Sequence, residues 1–203
     1  MSVITTIEQL RKLYPVPGGR SVMKEIARLD MHCRKFIELS PFLVLGTSSG
    51  DGHPDVSPRG DAPGFVQIVD DHTLAIPDRP GNNRLDSLEN ILENPDVALI
   101  FLIPGVDETL RVMGTAEICE DREICQPFEV RNKVPVTVLK IQVELVYLHC
   151  AKALMRSNLW HPEVRVDRES LPSMGRMIAD QIGSKEEPEK QAAMLERYRR
   201  ALY

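Results

Sequence analysis

Hydrophobic periodicity divides the chain into helical ends and a strand-rich middle. Up to residue 40 apolar positions recur at helical spacing. Thr6 followed by Gln9 resembles a capping box ahead of Leu10 and Leu13, and Pro15, Pro17, Gly18 and Gly19 end that segment. Ser21 or Asp30 is placed to cap a second helix, with Leu29, Cys33, Phe36 and Ile37 on one face and Pro41 as the stop. From Phe42 the pattern shortens. Residues 42–48 read as a buried strand, residues 49–52 as a turn, and residues 53–60 as a returning arm whose two prolines suit an edge. Residues 65–69 and 73–76 form a second hairpin over Asp70 and Asp71. Leu85, Leu88, Ile91 and Leu92 then return at helical spacing until Pro95, with Asn82 or Asn83 as the predicted N-cap.

Residues 97–103 are apolar on both faces, which predicts a central strand. From Thr109 to Ile118, Leu110, Val112, Gly114, Ala116 and Ile118 share one face. Residues 119–135 are charged and irregular, with a short helix predicted from Asp121. From Thr137 to Tyr147, Leu139, Ile141, Val143, Leu145 and Tyr147 are expected to point one way. About six strands around one long helix suggest an antiparallel barrel or sandwich. A basic segment runs from Ala151 to Trp160, and a helix is predicted over 173–182. Ser184 and Glu187 form a second predicted capping box, opening a polar helix that runs to Tyr203. The reading is one domain in three stretches: a helical extension (1–40), a β body (41–150), and a basic segment with helices (151–203).

With 203 residues and 42% hydrophobic content, the chain suits a globular domain with a real core. A net charge of −5 argues against nucleic acid as the main partner, although a local basic pocket remains open. No apolar run approaches the ~18 residues of a membrane span, and no secretory signal is visible at the N-terminus. Cys33, Cys119, Cys125 and Cys150 are scattered without a C-x-x-C pair, so they read as reduced thiols of a cytoplasmic protein.

The stretch from Ile76 to Pro95 carries the most suggestive chemistry. A loop with Arg79 feeds into a helix start with Asn83, Arg84 and Ser87. A helix N-terminus offers unpaired N–H groups and partial positive charge, so two guanidiniums and a hydroxyl beside it make a phosphate cradle. An ordinary capped surface helix with two solvated arginines fits the spacing equally well.

The residues also resemble a known family. The run Asp55-Val-Ser-Pro-Arg-Gly-Asp61, the segment from Pro77 to Ile91, and Leu110-Arg-Val-Met-Gly-Thr-Ala116 together resemble the pyridoxamine 5′-phosphate oxidase-like flavoproteins. The likeness covers roughly residues 36–160, and His149 to Ser157 looks like the tail of one subgroup. It implies a mainly β, α+β fold: a six-stranded antiparallel split β-barrel with helical extensions at both ends. It also implies a homodimer with two FMN sites at the subunit interface, and an oxidoreductase acting on a small molecule through flavin N5. Two departures stand out. Asn82, Asn83 and Arg84 replace the family's Ser-Arg-Lys run, and its C-terminal Arg-x-His substrate motif has no counterpart. The vitamin B6 substrate therefore does not carry over.

On this resemblance Arg79, Asn82, Asn83, Arg84 and Ser87 meet the phosphate. Ser57, Pro58, Arg59 and Gly60 lie against the ring edge, where Arg59 is either placed to stabilise negative charge on a reduced flavin or is simply an exposed strand arginine. Arg111 either contacts phosphate or ribityl oxygens or forms a cross-strand pair with Glu117. Lys152, Arg156, Ser157 and Trp160 reach the flavin of the other subunit, or Trp160 is simply a core or interface tryptophan. No side chain is singled out as a catalytic acid or base. No metal-ligand spacing and no G-x-S-x-G elbow appears. The rival readings are a non-catalytic carrier or sensor on the same barrel, holding flavin, haem or the deazaflavin F420.

Overall fold

The computed structural model describes residues 2–203. Its helices and strands in chain order are α1 (Ile7–Leu13), α2 (Arg20–Met23), α3 (Met31–Leu39), β1 (Phe42–Ser48), β2 (Pro54–Gly60), β3 (Gln67–Ile68) and β4 (Thr73–Pro77). Then come α4 (Asp86–Glu93), β5 (Asp96–Leu102), β6 (Thr109–Cys119), α5 (Arg122–Cys125) and β7 (Val138–His149). Helices α6 (Lys152–Ser157), α7 (Met174–Gln181) and α8 (Gln191–Ala201) complete the chain. The protein is α+β. Seven strands, rather than about six, form one antiparallel sheet in the order β2-β1-β5-β6-β7-β4-β3. The two ends of that order are β2, which carries Pro54 and Pro58, and the two-residue β3.

One face of the sheet holds the core: Leu43, Leu45, Leu74, Leu99, Phe101, Leu110, Val112 and Ile141 are all at most 2% exposed. Helix α3 closes it with Cys33, Phe36 and Ile37, and starts where predicted, Asp30 accepting from the N–H groups of His32 and Cys33. Burial, with the neighbouring Asp30 carboxylate, pushes the Cys33 thiol up to about 12, so this cysteine packs as a small apolar residue. All four cysteines are free thiols. Thr6 also caps as expected, and Ser173, read as the first residue of a helix, is the N-cap of α7. Ser184 does not cap α8. It accepts from the Glu186 N–H, and Pro188 separates this turn from a helix that begins only at Gln191. No described helix is long and apolar enough to cross a membrane.

The predicted face of β7 fails halfway. Leu139, Ile141 and Val143 point into the core, but the next core residue is Val146, not Leu145. The register moves from Gly114 opposite Val143 to Met113 opposite Leu145, leaving Glu144 unpaired as a β-bulge. Gly114 permits it: a Cβ there would sit 1.9 Å from the Gln142 carbonyl oxygen. The extra residue turns Tyr147 to the opposite face, directly across from Arg111.

That opposite face is unexpectedly apolar. Burial along β5 alternates, so Val97, Leu99 and Phe101 face the core while Ala98, Ile100 and Leu102 face outward. The pairing aligns Pro58, Val44, Ile100, Arg111 and Tyr147 in one row across five strands. Val56, Gly46, Ala98, Met113 and Leu145 form the next. Val56 is 71% exposed. An antiparallel sheet facing only water normally shows polar side chains here.

Candidate functional site

A cavity of about 740 Å³ opens between β2, the loop leading into α4, the start of α4, and residues 134–137. It gathers Ser57, Pro58, Arg59, Gly60, Arg79, Asn82, Asn83, Arg84 and Ser87. It does not gather Arg111, Lys152, Arg156, Ser157 or Trp160, none of which lines it. Lys152, Arg156 and Ser157 are exposed on α6, and the indole N–H of Trp160 donates to the Val106 carbonyl at 2.9 Å.

The predicted cap at Asn82 or Asn83 is replaced by something more useful. Asn82 Oδ1 accepts from the Arg84 N–H instead, and α4 starts two or three residues later than those caps imply. Its N-cap is Leu85, a left-handed residue at φ 61° with no capping side chain, preceded by Asn83 at φ 59°. Left-handed backbone at leucine is strained by about 1–2 kcal/mol and persists only where surrounding structure holds it. Here α4 is pinned from its far side. Asn90 Nδ2 donates to Thr47 Oγ1 at 3.0 Å, and Asn94 Nδ2 donates to Ser48 Oγ at 2.8 Å. The result is a helix start whose first N–H groups lack a side-chain cap and border the cavity.

Each guanidinium on the cavity wall is held by a carboxylate. Arg59 Nη1 donates to Asp78 Oδ1 at 2.5 Å. Arg79 Nε donates to Asp61 Oδ2 at 2.9 Å, and its Nη1 to the Phe128 carbonyl at 2.9 Å. Arg84 Nε donates to Asp86 Oδ2 at 2.8 Å, and the Ser87 hydroxyl to Asp55 Oδ2 at 3.2 Å. Arg84 lies before the helix and so shares no helix face with Ser87. Asp61 is 4% exposed at its side chain. Burial pushes its carboxyl up, but hydrogen bonds from Tyr203, the Ala62 N–H and Arg79 outweigh that and hold it below the usual 3.8. One buried guanidinium donor is left over: Arg59 Nε has no acceptor among the described residues.

Arg111 stands apart. It forms no ion pair among the described residues, Glu117 included, and its guanidinium stacks on the Tyr147 ring at 5.3 Å. Lys24 lies 5.1 Å from the same ring and donates to the Leu148 carbonyl at 2.7 Å.

Sequence reasoning did not foresee the wall formed by Phe65, Val134, Pro135, Val136 and Thr137, nor the part taken by Asp55 and Asp78. The acidic residues were visible as neighbours of the chosen arginines. Val134 and Pro135 of the wall come from a segment read as irregular, and only the tertiary fold brings it near β2 and α4. The arrangement suits a ligand with an anionic end, for the open helix start and the Arg59 Nε, and a flat apolar body, for the far wall. Among the described residues, no histidine, cysteine, lysine or tyrosine lines the cavity.

The family model described as pyridoxamine 5′-phosphate oxidase matches residues 29–150. No curated protein matches the sequence. Among solved structures, a point variant of the HupZ protein of Group A Streptococcus aligns at 20% identity and a TM-score of 0.50, covering 60% of this chain and 99% of that one. A Clostridium acetobutylicum protein related to general stress protein 26, of the pyridoxinephosphate oxidase family, aligns at 16% identity and TM-score 0.43, covering 59% and 86%. An FMN-binding protein from Syntrophomonas wolfei aligns at 12% identity and TM-score 0.43, covering 71% and 97%.

Proposed function

Because the chain belongs to the pyridoxamine 5′-phosphate oxidase-like FMN-binding family, we propose that its cavity binds FMN and that the protein is an FMN-dependent oxidoreductase working as a homodimer. The observation that carries this is the pairing of an uncapped helix start with an unsatisfied buried guanidinium N–H on one cavity wall. The start of α4, with Asn83, Arg84 and Ser87, receives the phosphate. Ser57 to Gly60 on β2 and the Val134–Thr137 wall bracket the ring. FMN supplies hydride or electron-pair transfer when bound. The side chains bind, orient and exclude water, which suits a wall holding no histidine, cysteine, lysine or tyrosine. The same donor set disfavours haem, which takes an axial His, Cys, Met or Tyr.

Charge supports the dimer. The cavity wall carries Arg59, Arg79 and Arg84 against Asp55, Asp78 and Asp86, so these groups contribute no net charge toward a dianionic phosphate. The free guanidinium of Arg111 sits on the uncovered apolar face, and a second copy packed on that face brings it to the interface. The cations Lys152 and Arg156, with Ser157 and Trp160, belong to the same contribution from the second copy. F420, with its longer anionic tail, requires more positive charge than the cavity wall offers.

The absorption spectrum of the purified protein is the first test: flavin bands that bleach with dithionite and FMN released on heating. Arg84→Ala is expected to weaken FMN binding by about 1.5–3 kcal/mol, the range for a hydrogen bond to a charged group. A colourless protein that ignores FMN in titration sinks the proposal. Turnover with NADH or NADPH and an acceptor separates an enzyme from a carrier.

A further inference from the structure

Among the described residues, the polar contacts that tie residues 165–203 to the sheet-bearing body converge on Tyr203. Within this stretch α7 and α8 are knit together: Gly175 packs so closely that a Cβ would meet the Glu189 carbonyl oxygen at 2.5 Å, and Gln191 Oε1 accepts from both the Met174 N–H and Arg168 Nη2. The hydrogen bonds that reach the sheet-bearing body both end on Tyr203. Its hydroxyl donates to Asp61 Oδ1 at 2.5 Å, and its main-chain oxygen accepts from Lys133 Nζ. Its ring lies 5.5 Å from the Arg79 guanidinium and 5.1 Å from that of Arg131.

The target of this latch is the Arg79–Asp61 pair. Asp61 Oδ1 takes the Tyr203 hydroxyl and the Ala62 N–H, while Oδ2 takes Arg79 Nε. A carboxylate held at both oxygens cannot rotate, so it fixes the plane of the guanidinium it pairs with. With Nε and Nη1 committed and the tyrosine ring on one side, Arg79 Nη2 is the end of the fork with no acceptor among the described residues. Arg79 lines the cavity.

We propose that Tyr203 is a positioning residue for the cofactor site: through Asp61 it orients Arg79 so that Nη2 is offered to the ligand's phosphate, which couples the docking of the α7–α8 unit to cofactor binding. This rests on the FMN reading above. By reciprocity, a phosphate bound at Arg79 tightens the latch as much as the latch tightens the phosphate.

The test compares FMN with riboflavin, which lacks the phosphate, in the wild type, Tyr203→Phe, Asp61→Asn and the double variant. Tyr203→Phe keeps the ring and loses only the hydroxyl. It is expected to weaken FMN about tenfold, the size of one hydrogen bond to a charged group, and to leave riboflavin unchanged. The double variant is expected to lose no more than Asp61→Asn alone. A purely structural role weakens both ligands alike, and that result overturns the proposal, as does unchanged FMN binding in Tyr203→Phe. The latch itself is read without ligand, by difference-spectroscopic titration of the phenol, wild type minus Tyr203→Phe. The Asp61 carboxylate raises this phenol and burial adds to it, while Arg79 and Arg131 pull it down; Lys133 lies against the same residue. Titration above the ordinary 10.0 that falls back in Asp61→Asn supports the latch, and an ordinary value in the wild type overturns it. If the latch is present but the wild type binds no FMN, the cofactor reading fails and takes the positioning role with it. That outcome is distinct from FMN binding that is indifferent to Tyr203.

Discussion

The cavity and the outer face of the sheet handle charge in opposite ways. Around the cavity Arg59, Arg79 and Arg84 each have a carboxylate partner, so the site is self-compensated as a single chain. On the outer face Arg111 has only the Tyr147 ring, amid rows of valine, isoleucine, alanine and methionine. A dianion approaching the first region meets preorganised donors but little net field; one approaching the second meets net field but no cradle. Preorganised donors alone give geometry, and uncompensated charge alone gives attraction. The contrast teaches that one chain keeps its cradle and its uncompensated charge apart, and the proposed homodimer is the arrangement that would unite them.

The largest expected effect lies where the two faces are sorted. Gly114→Ala forces a Cβ into the Gln142 carbonyl and should destabilise the fold by about 3 kcal/mol or more, read as a lower denaturant midpoint. Unchanged stability means the bulge does not set which side chains look outward. Next, Ile100→Glu places a charge in the middle of the outer apolar rows and should convert a dimer to monomers in analytical ultracentrifugation without altering the monomer's circular dichroism. An intact dimer places the interface elsewhere. Arg111→Ala should then cost FMN binding about 1.5–3 kcal/mol, comparable to Arg84→Ala in the cradle. Wild-type affinity there breaks the complementarity. The smallest effect concerns Asp61. Its carboxyl lies below 3.8 when folded, so its contribution to stability is whole above that value and is lost as pH falls through the lower folded value. Thermal melts from pH 7 to pH 3 should show an acid limb that is smaller in Asp61→Asn.

Much of this molecule was legible in its sequence because local rules and the fold agree. The Thr6 and Asp30 caps, the tight turns, the core face of β6 and the loop before α4 all follow from short-range chemistry. Val97 to Leu102 is the interior strand that its apolar run predicts, lying between β1 and β6. The failures have physical causes. The bulge at Glu144 was invisible because β-alternation carries no mark of an inserted residue, so Tyr147 was assigned to the wrong face. The helix cap was misplaced because two asparagines in a loop with left-handed residues serve the turn rather than the helix. The carboxylate partners of the cradle arginines were adjacent in sequence or a strand away, and only packing shows that they compensate the charge.

The prolines of β2 carry one more consequence. Residues 54, 56, 58 and 60 present their backbone groups to the same side of that strand, and two of the four have no N–H. A foreign strand docking there finds an interrupted row of donors, so sheet-to-sheet stitching between molecules is discouraged at this border. Concentrated solutions should accordingly resist thioflavin-positive fibre growth, and replacing Pro54 and Pro58 together with threonine should remove that resistance.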